Sequence, residues 1–114
     1  MNSITLFMRN LKLASDLSDH IAVLDKSVEI HENLDDFSAL SKLVFIDLDE
    51  KDFGNVDFIS SLFTKVKNIT IIGFLTSMQK NTVDKFKSAG CTMILTKSSA
   101  VKNISSLVKE FGND

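Results

Sequence analysis

Three side chains of complementary chemistry each stand at the end of an apolar run. Asp47 closes Leu43-Val44-Phe45-Ile46, Thr76 follows the run from Ile69 to Leu75, and Lys97 comes just after Met93-Ile94-Leu95. A carboxylate, a hydroxyl and an ammonium brought together suit phosphoryl chemistry. The carboxylate is the nucleophile, and the other two stabilise the phosphoryl oxygens. Further carboxylates stand behind the first, at Asp49, Glu50 and Asp52. Some 30 and 20 residues separate the three, so only a fold can gather them.

The elements that would do so are legible in the hydrophobic pattern. Continuous apolar runs rich in β-branched and aromatic residues read as strands buried on both faces, as in a parallel sheet. Strands are predicted at Ile4–Met8, Val28–His31, Leu43–Asp47, Ile69–Leu75 and Met93–Leu95. The second alternates with charge and is expected at an edge. Between them run helical stripes. Ala14, Leu17, Ile21 and Leu24 mark a helix near 11–24 with Asn10 as its cap. Leu34, Phe37 and Leu40 mark a short second helix capped by Asn33. The third carries Phe58, Ile59, Leu62, Phe63 and Val66. The fourth carries Val83, Phe86 and Ala89 and stops at Gly90, and the last carries Val101, Ile104, Leu107, Val108 and Phe111. Helical crossovers between apolar strands imply an α/β doubly wound parallel sheet. With five strands the expected form is flavodoxin-like (βα)5 in the order 2-1-3-4-5. Ligand crevices in such sheets lie beyond the carboxyl ends of the strands, where Asp47, Thr76 and Lys97 all fall. Gly73, inside the fourth strand, is expected to mark a bulge or a close helix approach.

Composition bounds the class. The 114 residues make one domain, 1–114, and are 44% apolar and 25% charged with a net charge of −2. No stretch reaches the ~20 apolar residues a membrane helix needs, and no signal-peptide pattern opens the chain. Cys91 is the only cysteine, so no internal disulfide forms, which fits a cytoplasmic protein. It reads as a small buried hydrophobe. His20 and His31 lack a second ligand at metal spacing and read as surface or packing residues. Charge is unevenly placed: residues 1–57 carry twelve acids against five bases, and residues 58–114 carry eight lysines against three acids. The acidic total and the lack of a recognition motif argue against nucleic acid as a partner. Where a nucleotide or flavin fold would need a glycine-rich loop after the first strand, Arg9-Asn10-Leu11-Lys12 stands instead.

Taken together, Leu43–Leu48, Leu75-Thr76-Ser77, Ala89-Gly90 and Thr96-Lys97 resemble the receiver domain of bacterial response regulators, the CheY-like family. The resemblance covers essentially the whole chain. It implies that Asp47 is phosphoacceptor-like, with Thr76 and Lys97 beside it.

The departures bear on function. Receivers follow strand one with an acidic pair that holds Mg²⁺, and here Arg9 and Asn10 take that place. Mg²⁺ demands hard anionic oxygens, and phosphoryl transfer relies on it to neutralise charge. Two unit charges ~4 Å apart interact by about 4 kcal/mol at an effective dielectric near 20, so Arg9 is expected to replace the metal as counter-ion to Asp47. Rescue of a weak metal site by Asp49 or Asp52 is not expected. Ser98 replaces the family's proline after Lys97, so the peptide is expected to be trans and the lysine shifted. Ile94 stands where the family carries a switching aromatic ring. Gly54 keeps some turn chemistry in an acidic loop that lacks the family's proline.

The reading that follows is an atypical single-domain receiver, a pseudo-receiver, acting in bacterial signal transduction by protein–protein interaction. It is not an enzyme and needs no cofactor. No effector domain is expected after the last helix, so the output is expected from a surface. The face of the fourth helix, fifth strand and last helix, with Lys80, Lys85, Lys87 and Lys102, is expected to meet an acidic signalling partner or a second copy. The bland alternative is that these lysines are a solvated face, and that Asp47 is a retained carboxylate at an exposed strand end or in an ion pair. The chemical alternative is a working Mg²⁺-dependent phosphoacceptor at Asp47 in a phosphorelay.

Overall fold

A computed structural model describes residues 3–34 and 41–112. The strands are β1 (Ser3–Phe7), β2 (Ser27–His31), β3 (Leu43–Asp47), β4 (Thr70–Leu75) and β5 (Met93–Thr96). The helices are α1 (Leu11–Ala22), α2 (Val56–Lys65), α3 (Lys80–Ala89) and α4 (Lys97–Phe111). All five strands run parallel in one sheet, in the order β2-β1-β3-β4-β5. The short helix expected over Leu34, Phe37 and Leu40 falls largely at 35–40, outside the described residues.

The central strand explains the two-layer core. Every residue of β3 is buried, so each face must be covered. One face presents Val44 and Ile46 with Phe7 and Ile71 to Ile59 and Leu62 of α2 and Phe86 of α3. The other presents Leu43 and Phe45 with Ile72 and Phe74 to Leu17 and Ile21 of α1 and Ile104 and Leu107 of α4. The rings of Phe45 and Phe74 stack at 5.7 Å and 4° on neighbouring strands. Truncating either to alanine is expected to cost about 3–5 kcal/mol, the usual range for a fully buried aromatic. β2 pairs only with β1 and is half exposed, the edge its charge pattern implied.

Helix ends follow local chemistry. Asn10 Oδ1 accepts from the Leu13 N–H at 3.1 Å and caps α1. Asn55 does the same for α2, accepting from the Phe58 N–H at 2.8 Å. Gly90 ends α3 with φ at 138°, a conformation glycine adopts without penalty. α4 starts at Lys97, four residues before its first expected apolar position, so β5 passes into it directly.

Gly73 differs from expectation. The ladder runs through it unbroken, to Ile46 on one side and Ile94 on the other, so there is no bulge. What approaches is the Leu48 side chain and not a helix: a Cβ at residue 73 would stand 2.3 Å from Leu48 Cδ1.

Candidate functional site

Asp47 is the last residue of β3, in register with Phe74 on β4. Its side chain is 5% exposed, so it is not an exposed strand end. Leu48 continues the ladder for one more bond, N–H to the Phe74 carbonyl at 2.9 Å, and the chain then turns away. The Asp49 N–H donates to Asp47 Oδ1 at 3.1 Å, an Asx-type turn in which the carboxylate organises its own loop. The same Oδ1 receives Lys97 Nζ at 2.8 Å. Burying a carboxylate is costly unless it is paired and hydrogen-bonded, and these two contacts meet that need.

Lys97 reaches the site from the first turn of α4, directly beyond the carboxyl end of β5. Among the described residues every peptide bond is trans, and that link leaves the lysine in contact with Asp47. A cation in the first turn of a helix is opposed by the helix dipole, so the carboxylates around it also offset that opposition. The second of them is Asp49, whose Oδ2 lies 3.1 Å from Nζ. Burial pulls the Lys97 pKa down, but the bonds to Asp47 and Asp49 outweigh it and the value rises above the ordinary lysine range.

Thr76, one residue past β4, addresses Asp49. Its hydroxyl donates to Asp49 Oδ2 at 2.6 Å and its N–H to the same oxygen at 2.9 Å. Partial burial pushes the Asp49 carboxyl up, but the Thr76 hydroxyl, Lys97 and the Thr76 N–H together hold it below the usual carboxylate range. The three expected residues are therefore gathered at one place, but through a fourth. From sequence Asp49 reads only as a loop carboxylate and a spare metal ligand that is not expected to serve. Its position two residues past a buried strand end was the available signal, because an Asx-type turn aims that side chain back over the sheet.

Arg9 does not meet Asp47. Its guanidinium donates to Asp52 at 2.6 Å, to Glu50 at 3.1 Å and to the Glu32 carbonyl at 2.9 Å, and it lies 5.0 Å over the Phe53 ring. The bond to Asp52 raises its pKa most, desolvation opposes this, and Glu50 adds to the rise. The physical reason is the acidic loop. It offers two outlying carboxylates and an aromatic platform suited to a planar cation, while Lys97 already neutralises Asp47. Asn10, the other residue in place of the acidic pair, spends its side chain on capping α1.

This donor set does not fit the Mg²⁺ that the receiver resemblance implies. Among the described residues no group of three or more metal-ligating side chains is arranged to hold an ion. Asp47 and Asp49 share an ammonium, and Glu50 and Asp52 share a guanidinium.

The remaining residues are dispersed. Lys80, Lys85 and Lys87 are exposed on α3, and Lys102 is exposed on α4. Lys80 pairs with Asp84 at 3.1 Å, and Lys85 Nζ lies 4.8 Å over the Phe86 ring. Ile94 is buried under this face. Burial pushes the Cys91 thiol up to about 12, which leaves it protonated and unreactive. His20 is exposed and bonds the Asp16 carbonyl, while His31 lies beside Phe7 with Nε2 3.8 Å from Glu29. No described helix is long and apolar enough to cross a membrane.

No protein-family model and no curated protein sequence matches the chain. Its likenesses are three-dimensional. A two-component response regulator from Clostridium difficile superposes with a TM-score of 0.85 at 13% identity, over 97% of this chain and 95% of that one. A CheY-like protein from Pseudomonas aeruginosa gives 0.78 at 13% identity, over 100% and 95%. A phosphorylated cyanobacterial phytochrome response regulator gives 0.78 at 13%, over 96% and 93%. The chain thus has the CheY-like receiver fold.

Proposed function

We propose that this receiver-fold chain is a pseudo-receiver: a cytoplasmic bacterial signalling module that acts by protein–protein contact and not by Mg²⁺-dependent aspartyl phosphorylation. The observation that carries this reading is the fate of the two positions where an acidic pair would hold the metal. Arg9 is committed to Asp52, Glu50 and Glu32, and Asn10 is committed to capping α1. Neither offers an anionic oxygen, and Arg9 adds a cation that repels Mg²⁺. Without the metal, charge building on a transferring phosphoryl group lacks its main counter-ion. The module is then a binder with no enzymatic turnover and no cofactor.

The contact surface we assign is the face of α3, β5 and α4. Among the described residues Lys85, Lys87 and Lys102 are exposed there with no acidic partner at salt-bridge distance, while Lys80 is partly neutralised by Asp84. An acidic protein surface or a second copy fits that charge. Charge reversal at Lys85 and Lys87 is expected to weaken the complex, and a complex indifferent to it would remove this face from the reading.

A second reading keeps Asp47 as phosphoacceptor, because Thr76 and Lys97 do lie at the same strand ends. In it an Asp47 oxygen attacks the phosphorus of a donor and the donor's leaving group departs. The deciding experiment is an intact-mass spectrum after incubation with a small-molecule phosphodonor, with and without Mg²⁺, with Asp47→Asn as control. No mass gain is expected. A Mg²⁺-dependent gain of one phosphoryl group that is absent in Asp47→Asn would replace the first reading with the second.

A further inference from the structure

Three hydrogen-bond donors converge on a single atom, Oδ2 of Asp49. They are the Thr76 hydroxyl at 2.6 Å, the Thr76 N–H at 2.9 Å and Lys97 Nζ at 3.1 Å. An amide, a hydroxyl and an ammonium aimed at one point are the donor set of an oxyanion site, since each bond is charge-assisted and two of the donors are fixed by strand ends. Asp49 is a loop residue with a side chain 35% exposed. The Asx-type turn on Asp47 Oδ1 sets its backbone, and the three donors hold its carboxylate.

Lys97 extends the arrangement to the buried carboxylate next door, because the same Nζ contacts Asp47 Oδ1 at 2.8 Å. The anion on Asp49 therefore sits beside Asp47, where an oxygen of any group bound to that carboxylate would need the same donors. The Thr76 hydroxyl, the Thr76 N–H and the Lys97 ammonium are then already engaged.

We propose that Asp49 is the resident occupant of an oxyanion site, a tethered carboxylate that keeps Thr76 and Lys97 engaged and closes the site to free carboxylate or phosphate. This deepens the pseudo-receiver reading and rests on it for its signalling meaning: an engaged state is held without covalent modification. The chemical claim is separable. The Asp49 carboxylate excludes external anions by effective concentration, as any tethered group competes with a free one. Once it is removed, the three donors accept a small oxyanion from solution.

The test uses the full chain labelled with ¹⁵N, as wild type, Asp49→Ala and Asp49→Asn. Amide hydrogen exchange at Thr76 is measured, followed by titration with acetate as the probe anion. Asp49→Ala is expected to speed Thr76 exchange by about tenfold to a hundredfold, the scale of losing a charge-assisted bond. Acetate is expected to shift the Thr76 resonance saturably in that variant and slow its exchange again, while the wild-type resonance stays in place. Unchanged exchange in Asp49→Ala, acceleration that acetate leaves untouched, or equal acetate responses in wild type and variant would each overturn the proposal. If Asp49→Ala does not fold, the isosteric Asp49→Asn decides: faster Thr76 exchange supports the site and unaltered exchange refutes it. Phosphorylation of wild-type Asp47 would remove the pseudo-receiver reading, whereas the Thr76 readout judges the oxyanion site alone.

Discussion

Lys97 Nζ lies 2.8 Å from Oδ1 of Asp47, a carboxylate whose side chain is only 5% exposed. The pair joins the end of β3 to the first turn of α4 across β4, so one ion pair ties two non-adjacent elements together. Its worth is asymmetric. Two charges taken out of water repay their desolvation only while both are present, and removal of one leaves the other stranded.

Lys97→Met is therefore expected to destabilise the fold by about 2–3 kcal/mol. This lies below the ~3–5 kcal/mol of a fully buried pair because Lys97 keeps some access to water. Neutralising the stranded partner should recover part of the loss. In a denaturant double-mutant cycle, Lys97→Met with Asp47→Asn is expected to be more stable than Lys97→Met alone. Strict additivity would mean that the pair is not coupled.

The pH dependence follows from the directions of two shifts. The Asp49 pKa is lower folded than unfolded, so its contribution is present above the ordinary carboxylate value of 3.8 and is lost as pH falls through the folded value. The Lys97 pKa is higher folded than unfolded, so its contribution is complete below 10.5 and is lost as pH rises through the folded value. Urea unfolding followed from about pH 3 to about pH 11 should show both limbs. Asp49→Asn is expected to flatten the acid limb and Lys97→Met the alkaline one. A Lys97→Met curve that keeps the wild-type alkaline slope would contradict the assignment.

The strands, four of the helices and the strand order could be read from the sequence because apolar runs and helical stripes report burial directly. The same pattern placed Asp47, Thr76 and Lys97 at strand ends on one side of the sheet. What periodicity does not carry is which way a polar side chain turns once it leaves the sheet. Arg9 was assigned to Asp47 on position alone, and it went instead to Glu50, Asp52 and the Phe53 ring. Asp49 was weighed only as a spare metal ligand because a loop carboxylate carries no periodic signal, although the turn nucleated by Asp47 Oδ1 delivers it to Thr76 and Lys97.

Glycines 73 and 54 separate two kinds of close approach to one residue. A Cβ at residue 73 would meet the Leu48 side chain at 2.3 Å, and a Cβ at residue 54 would meet the Leu48 carbonyl oxygen at 1.9 Å. Gly73→Ala is expected to cost about 1–3 kcal/mol as an overpacking change. In a Leu48→Ala background the same substitution should cost less, because the obstructing methyl groups are gone. Gly54→Ala clashes with backbone, so Leu48→Ala should leave its cost unchanged. Thermal or denaturant unfolding of the six combinations gives both differences. An equal response of the two glycines to Leu48→Ala would show that the loop relaxes as a unit and that Leu48 does not discriminate between them.

Arg9→Asp combined with Asn10→Asp restores the acidic pair that receivers carry after strand one. The second substitution is compatible with the fold, because an aspartate can still accept the Leu13 N–H that caps α1. The first frees Glu50 and Asp52 and replaces a cation with an anion two residues past β1, the strand next to β3. Hard anionic oxygens then outnumber the cations at the strand ends, which is the condition Mg²⁺ requires. The double variant is expected to bind Mg²⁺ saturably in an amide chemical-shift titration, with the largest shifts at Asp47 and Asp49, while the wild type shows no saturable response. Removing Arg9 alone, as Arg9→Ala, should not suffice, since it subtracts a repulsive charge without adding a ligand. If the wild type bound Mg²⁺ as tightly as the double variant, the guanidinium on Glu50 and Asp52 would not be what keeps the metal out, and the phosphoacceptor reading of Asp47 would gain the ground the pseudo-receiver loses.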